Sequence, residues 1–357
     1  MQRDFKPLCE DTKDDAATLI CDRFDESALS VFNKFLAAPA RVGNAPIGCV
    51  GYKNGVAVCM QAEMPRRMYM GRAEIRGLVG GLTCKVQRGC PLSLLLETID
   101  KATNLSGGYD VAYGNSCCRE AASLNEVSDD IIGPESCARY LWRAVRPIDC
   151  IVYFMRRKLL KMAVPQWPNF STLSSADFEM KHDGVRIKRT LSVEPDFFDA
   201  LMAEYLKTNR GLVCSRSAAE VDWMFGKRIK EGHCVLLCGF NDKKPAGYIV
   251  LGSNSTAKRW MLMDAFSLGN NHVVLEALLS VSCYFLKKKT PAMMLETSGF
   301  PTWVQPLLKR YMPHERHLGN NMFVWNAHDR VLQEKLLAVV DTPQSWFFGP
   351  YDGDLCM

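Results

Sequence analysis

Hydrophobic and polar positions along the chain change period in one order, and that order occurs twice. From Asp14 to Ala38, Leu19, Phe24, Leu29, Phe32 and Phe35 recur at helical spacing, with a break near Asp25 that divides the stretch into two helices. Strand patterning follows. Ile47–Tyr52 and Val56–Met64 flank the turn signal Lys53-Asn54-Gly55, which predicts a hairpin. Pro65-Arg66-Arg67 predicts a second turn, and Arg72–Val86 a long strand carrying Ile75, Leu78, Val79 and Leu82. The period then changes to helical over Pro91–Asn104, closed by Gly107-Gly108. A strand over Tyr109–Tyr113, a helix over Ser116–Asn125 and a strand over Arg139–Val145 complete the series.

The second half runs in the same order. It predicts a strand at Val185–Leu191, then helices at Pro195–Asn209 and Ser217–Glu231. Strands follow at Cys234–Phe240, Ala246–Gly252 and Arg259–Phe266. The helix Asn271–Lys288, the strand Ala292–Thr297, the helix Phe300–Tyr311 and the strand Asn321–Asn326 close it. No residue-level repeat accompanies the pattern. At about 150 residues per domain, 357 residues make two domains. The expected boundaries are 1–147, a connector 148–180, 181–330, and a tail 331–357. Within the connector, Cys150–Met162 reads as a basic amphipathic helix, expected to pack between the domains rather than on a membrane surface.

Composition narrows the class. Hydrophobic residues make up 48% and charged residues 23%, enough for two buried cores. The start Met1-Gln2-Arg3-Asp4 leads into polar sequence, so no signal peptide is expected. No run approaches the ~18 apolar residues of a membrane span. Fifteen cysteines lie scattered without a Cys-x-x-Cys pair, and Cys234 and Cys238 beside His233 share a strand face too far apart to grip one metal alone. A reduced, cytoplasmic protein without a metal is the expectation. The net charge of +5 suits an anionic ligand. The basic runs Arg156-Arg157-Lys158 and Lys287-Lys288-Lys289 are short and lack interleaved aromatics, so they read as solvated helix faces rather than a nucleic-acid site.

The stretch from Gly80 to Leu96, GGLTCKVQRGCPLSLLL, joins the long strand to the next helix. With the order of elements around it, it resembles the GNAT superfamily of acyltransferases, taken twice as in the tandem members. The resemblance implies an α/β fold of the α+β type: two tandem GNAT-like domains, each a mixed, mainly antiparallel sheet flanked by helices. The family loop is Gln/Arg-x-x-Gly-x-Gly/Ala. Arg88 falls on the basic position, Pro91 on the first glycine and Ser93 on the small residue. Such a loop binds a pyrophosphate through backbone N–H groups at a helix N-terminus. By this resemblance Arg88, Gly89, Cys90, Leu92 and Ser93 would meet phosphate, and Leu82, Cys84 and Val86 the pantetheine arm. Pro91 departs from the pattern, because proline has no N–H and is also a common plain helix start. Both readings stand at this stage. The second half has Ser267-Leu268-Gly269-Asn270-Asn271-His272 at this place, without the basic residue.

Acyl transfer to an amine needs a proton acceptor and an acid for the leaving thiolate. Every histidine lies beyond residue 180, which leaves carboxylates and tyrosines in the first half. By position in the family Glu74 is the candidate base and Tyr140 the candidate acid; their bland alternatives are a surface strand residue and a packed aromatic. Tyr113 and Asn115 could line the cleft. Asp264, in an otherwise apolar strand, and Glu296, at the end of the next, could together bind a cationic amine. A nucleophilic cysteine at Cys117 or Cys118 lacks a nearby histidine. The expected function is an acyltransferase moving an acetyl or longer acyl group from acetyl-CoA or another acyl-CoA to a small-molecule amine. An acyl carrier protein bearing an acyl-phosphopantetheine is the alternative donor. A non-catalytic ligand- or protein-binding role, and an aminoacyl transferase using charged transfer RNA, are alternatives from other classes.

Overall fold

The computed structural model describes residues 2–24, 26–86, 89–104, 107–114, 131–132, 139–156, 178–253, 258–301, 303–317, 324–340, 346–347 and 351. In the first half the strands are β1 (Arg3–Pro7), β2 (Gly48–Lys53), β3 (Val56–Met70), β4 (Ala73–Lys85), β5 (Val111–Gly114), β6 (Ile131–Ile132) and β7 (Arg139–Ala144). Then come β8 (Glu179–His182), β9 (Val185–Thr190), β10 (Leu212–Cys214), β11 (Cys234–Asn241), β12 (Lys244–Ser253) and β13 (Arg259–Ser267). The last are β14 (Met294–Ser298), β15 (His314–His317), β16 (Val324–Ala327) and β17 (Trp346–Phe347).

Alternation along β3 and β4 builds the first sheet. Met60, Ala62, Met64 and Met68 point to one face, where the helices Lys13–Arg23 and Glu26–Leu36 bring Ala16, Leu19, Ile20, Phe32 and Phe35. The opposite face takes the helix Leu92–Thr103 through Leu94, Thr98 and Ala102, with Thr98 Oγ1 3.2 Å from Cys59 Sγ. The second sheet is covered by Pro195–Thr208, through Phe198, Leu201 and Tyr205, and by His272–Lys289, through Val274, Leu278 and Phe285. One continuous apolar cluster spans both halves, and Val58, Cys59 and Leu94 form a smaller one under the helix Leu92–Thr103.

Strand order is β1-β2-β3-β4-β5-β16-β6 in the first sheet, with β10 on the far end of β3 and β17 beyond it. The second runs β15-β7-β14-β13-β12-β11-β9-β8. The first sheet therefore contains β10, β16 and β17 from the other half of the chain, and the second contains β7. β16 lies between β5 and β6, and β7 lies between β14 and β15. Apart from three parallel pairs, β4 with β5, β13 with β14 and β10 with β17, both sheets are antiparallel.

Besides the strand at Arg139–Val145, which joins the second sheet, two expectations differ from what is found; the helix expected over Ser116–Asn125 lies outside the described residues. Pro65-Arg66-Arg67 does not turn; β3 runs through it to Met70 and the turn is at Gly71-Arg72. Glu63 N–H donates to Ile47 O (2.7 Å), so alternation points the Pro65 nitrogen the same way, beyond the end of β2, where no ladder bond is lost. The connector helix is found at Pro147–Phe154, with 157–162 outside the described residues; on the described part Ile148, Ile151, Val152 and Met155 are exposed. No helix among the described residues is long and apolar enough to cross a membrane.

Candidate functional site

The first sheet opens where β4 leaves its neighbour. β4 pairs with β5 only from Gly77 to Val79, then continues along β3 to Lys85. Beyond Val79 no described strand covers its other edge. The ladder slips at this point. Ala62 faces Leu82 and Glu63 faces Gly80, so Gly81 is the extra residue of a β-bulge. A side chain there would meet Phe35, since a Cβ would lie 2.6 Å from its Cζ. The Val86 N–H donates to Val58 O (2.9 Å). Antiparallel alternation then turns the backbone groups of Leu82, Cys84 and Val86 toward β3, and those of Thr83 and Lys85 toward the open edge. The Cys84 thiol is buried and donates to Leu19 O (3.0 Å). The backbone donors that face the opening thus sit one residue off the set expected from sequence.

The loop after β4 leads into the helix Leu92–Thr103. Gln87 and Arg88 lie outside the described residues. Gly89 takes φ +95°, a conformation that favours glycine, and a Cβ there would meet nothing within 4 Å. Pro91 is the N-cap, with φ −64° and ψ 143°, and its carbonyl accepts from Leu94 N (3.1 Å) and Leu95 N (3.3 Å). The amides of Leu92 and Ser93 have no carbonyl to reach within the helix. Two cations far away in sequence join them. Arg3 and Lys53 are register partners on β1 and β2. Lys53 Nζ donates to Gly89 O (2.9 Å), and Arg3 Nη2 donates to Ser93 Oγ (3.2 Å). No local sequence signal marks these two residues; pairing of β1 with β2 brings them here.

Glu74 lies at the other end of β4, seven residues before Gly81 and roughly 23 Å from it along an extended strand. It sits 3.9 Å from the guanidinium nitrogens of both Arg67 and Arg76, and lines a cavity of about 140 Å³ with Arg41. A different carboxyl stands at the opening. Glu63 is the register partner of Gly80, is 3% exposed, and its Oε2 has no hydrogen-bond partner among the described residues. Burial alone raises its pKa to about 8. On the same face Gln61 Oε1 accepts from Thr83 Oγ1. Sequence reasoning missed Glu63, although the signal that singled out Asp264, an acid in an apolar strand, is present in Met60-Gln61-Ala62-Glu63-Met64.

Tyr113 is buried against Gly77, with its hydroxyl 3.5 Å from Cys214 Sγ, so it belongs to the core. Asn115 lies outside the described residues. In the second half, Asp264 and Glu296 are not brought together. Asp264 is wholly buried and takes Arg216 Nε and Nη2 at 3.2 Å each, along with the Tyr248 hydroxyl. Arg216 is itself stacked among Phe266, Phe347 and Tyr351. Glu296 accepts from Arg259 (2.6 Å) and from Tyr140, because β7 crosses into the second sheet. Burial, then the Glu296 carboxylate, raises the Tyr140 pKa to about 12. The loop equivalent to the first-half cradle is closed. Asn271 caps its helix, its side chain accepting from Val273 N (2.9 Å) and Val274 N (3.3 Å). Beside it is a cavity of about 540 Å³ lined by the Asn241–Ala246 turn.

A sheet whose fourth long strand bulges and parts from a parallel neighbour, before a loop and a helix N-terminus, defines the GNAT fold, and this chain has it. The structure is similar to a GCN5-related N-acetyltransferase from Kribbella flavida, with TM-score 0.57, 8% identity, and 91% of this chain and 71% of that chain covered. It is also similar to one from Anabaena variabilis, with TM-score 0.56, 9% identity and coverage of 92% and 73%. No family model and no curated protein matches the sequence.

Proposed function

We propose that the chain is an acyltransferase that moves an acyl group from a phosphopantetheine thioester to an amine at the opening in the first sheet. The observation that carries this reading is the coincidence at one place of the Gly81 bulge, the open edge of β4 and the free donors at the start of the helix Leu92–Thr103. The bound donor supplies a thioester carbonyl open to attack. The chain supplies the rest. Backbone groups of Thr83 and Lys85 hold the pantetheine arm as an added strand would be held. The amides of Leu92 and Ser93, with Gly89, Cys90, Arg3, Lys53 and Arg88, meet phosphate by charge-assisted hydrogen bonds. Glu63 is the proton acceptor for the amine as nitrogen bonds to the acyl carbon; as the carbon–sulfur bond breaks, that proton passes to the sulfur and the pantetheine leaves as the thiol. Glu74 and Tyr140, each answered by arginine at a distance from the bulge or in the second sheet, are left without a step.

Two donors share this chemistry. Acyl-CoA would use the full set of phosphate contacts. A carrier protein bearing acyl-phosphopantetheine would need fewer, and Pro91, which removes one donor, favours that source. Calorimetric titration with acetyl-CoA and CoA tests the reading. Micromolar binding is expected, weakened about tenfold (about 1.4 kcal/mol) in Arg3→Ala/Lys53→Ala. Binding of an acylated carrier protein without binding of CoA selects the second donor. Binding of neither overturns the reading.

A further inference from the structure

The helix Pro147–Phe154 turns two kinds of surface in opposite directions. Its inner side is anchored, with the Cys150 thiol donating to Met293 O (3.2 Å) and the Lys258 ammonium 4.8 Å from the Tyr153 ring centre. Its outer side is also apolar. Ile148 is 76% exposed, Ile151 59% and Val152 43%, with Met155 just past the helix at 46%. At 100° per residue these four span an arc of about 100°, the width of a stripe that normally faces a core. Single exposed apolar side chains need no explanation, but a continuous stripe marks a contact surface.

The rim of the stripe is cationic. Arg146, the N-cap, donates from Nη2 to Lys287 O (3.0 Å) and Thr290 O (2.6 Å). This holds the first turn against the end of the helix His272–Lys289, where Lys287, Lys288 and Lys289 are all exposed. Tyr284, one turn earlier, is also exposed. Arg156 stands exposed beyond Met155. The acid on this helix, Asp149, has Arg146 3.9 Å away.

We infer that this face docks on an anionic lipid surface, the stripe entering the boundary between headgroups and acyl chains and the lysines meeting lipid phosphates. The charge pattern selects this occupant. Apolar side chains beside exposed lysines that make no ion pair among the described residues match a bilayer, which offers hydrocarbon and negative charge in parallel layers. An acidic protein would answer the lysines but leave the stripe in water.

Co-sedimentation with phosphatidylserine-containing vesicles, set beside pure phosphatidylcholine vesicles, tests the inference. The full chain is expected to bind the anionic vesicles and to be released by high salt. Ile148→Ser/Ile151→Ser is expected to lower the bound fraction about tenfold with a nearly unchanged melting temperature, since both side chains are more than half exposed. Lys287→Glu/Lys288→Glu/Lys289→Glu is expected to abolish binding. The inference is overturned if anionic vesicles are not bound, or if both variants bind as the parent does. It is equally overturned if the serine variant instead loses self-association on gel filtration while vesicle binding stays absent.

Discussion

At the residue scale the informative group is Glu63. Its carboxyl has an ordinary pKa near 4.5 when the chain is unfolded, and burial raises it to about 8 in the folded protein. The native state therefore holds this proton more tightly. The resulting stability is full below about 4.5 and is lost as pH rises through about 8, with a limiting slope of about 1.4 kcal/mol per pH unit inside that window. Glu63→Gln keeps a neutral side chain at every pH. Between these two pH values the melting temperature of the parent should fall relative to that of the variant; parallel curves would mean that the carboxyl is not buried as described. Asp264 shows why such residues are hard to rank from sequence. Glu63 and Asp264 both interrupt apolar strands, yet Asp264 is answered by an arginine 48 positions away. The acid is visible in the sequence; its partner is fixed only by the fold.

At the scale of elements, legibility followed burial. The hairpin β2–β3, the long β4 and the helices Leu92–Thr103 and His272–Lys289 were predicted because each buries one face, which imposes a period on its residues. The edge strands β1 and β8 were not predicted. Their residues are mostly exposed, so nothing in their sequence marks a face. The unpredicted β1 is also the strand that carries Arg3 to the loop. The end of the chain is expected from sequence as a tail, 331–357, with no strand in it. Phe347 of β17 is 1% exposed and Tyr351 wholly buried, with the tyrosine hydroxyl donating to Ser215 O (2.9 Å) and Arg66 4.2 Å from its ring centre. Phe347→Ala removes a ring packed on Phe266 and on the buried Arg216, and should cost about 3–5 kcal/mol in urea unfolding. A loss under about 1 kcal/mol would show that this segment only rests on the surface.

Across the whole molecule the doubled order of elements was legible, and the exchange of β7 and β16 was not. A short strand is legible from its pattern, but the sheet it joins is not. Arg139–Val145 was therefore read as closing the first half, whereas its hydrogen bonds go to β14 and β15. The exchange has a physical outcome. A fragment 1–147 carries β7 without its neighbours and lacks β16, so both edges of β7 and the outer edge of β5 are unpaired. Expressed alone, 1–147 and 148–357 should each be aggregated or unfolded; expressed together they should co-purify as one folded particle. Independent folding of 1–147, read by amide exchange, would contradict the interlocked arrangement.

The exchanged strands also set a timetable for a chain leaving the ribosome. β5 emerges some 210 residues before β16, which at 5–20 residues per second is roughly 10–40 s. Through that interval its outer edge has no native neighbour, and β7 has no sheet to join until β14 arrives. The first half is thus made with two strands on hold, β5 with an open edge and β7 without a sheet, and the nascent chain carries both until the second half follows.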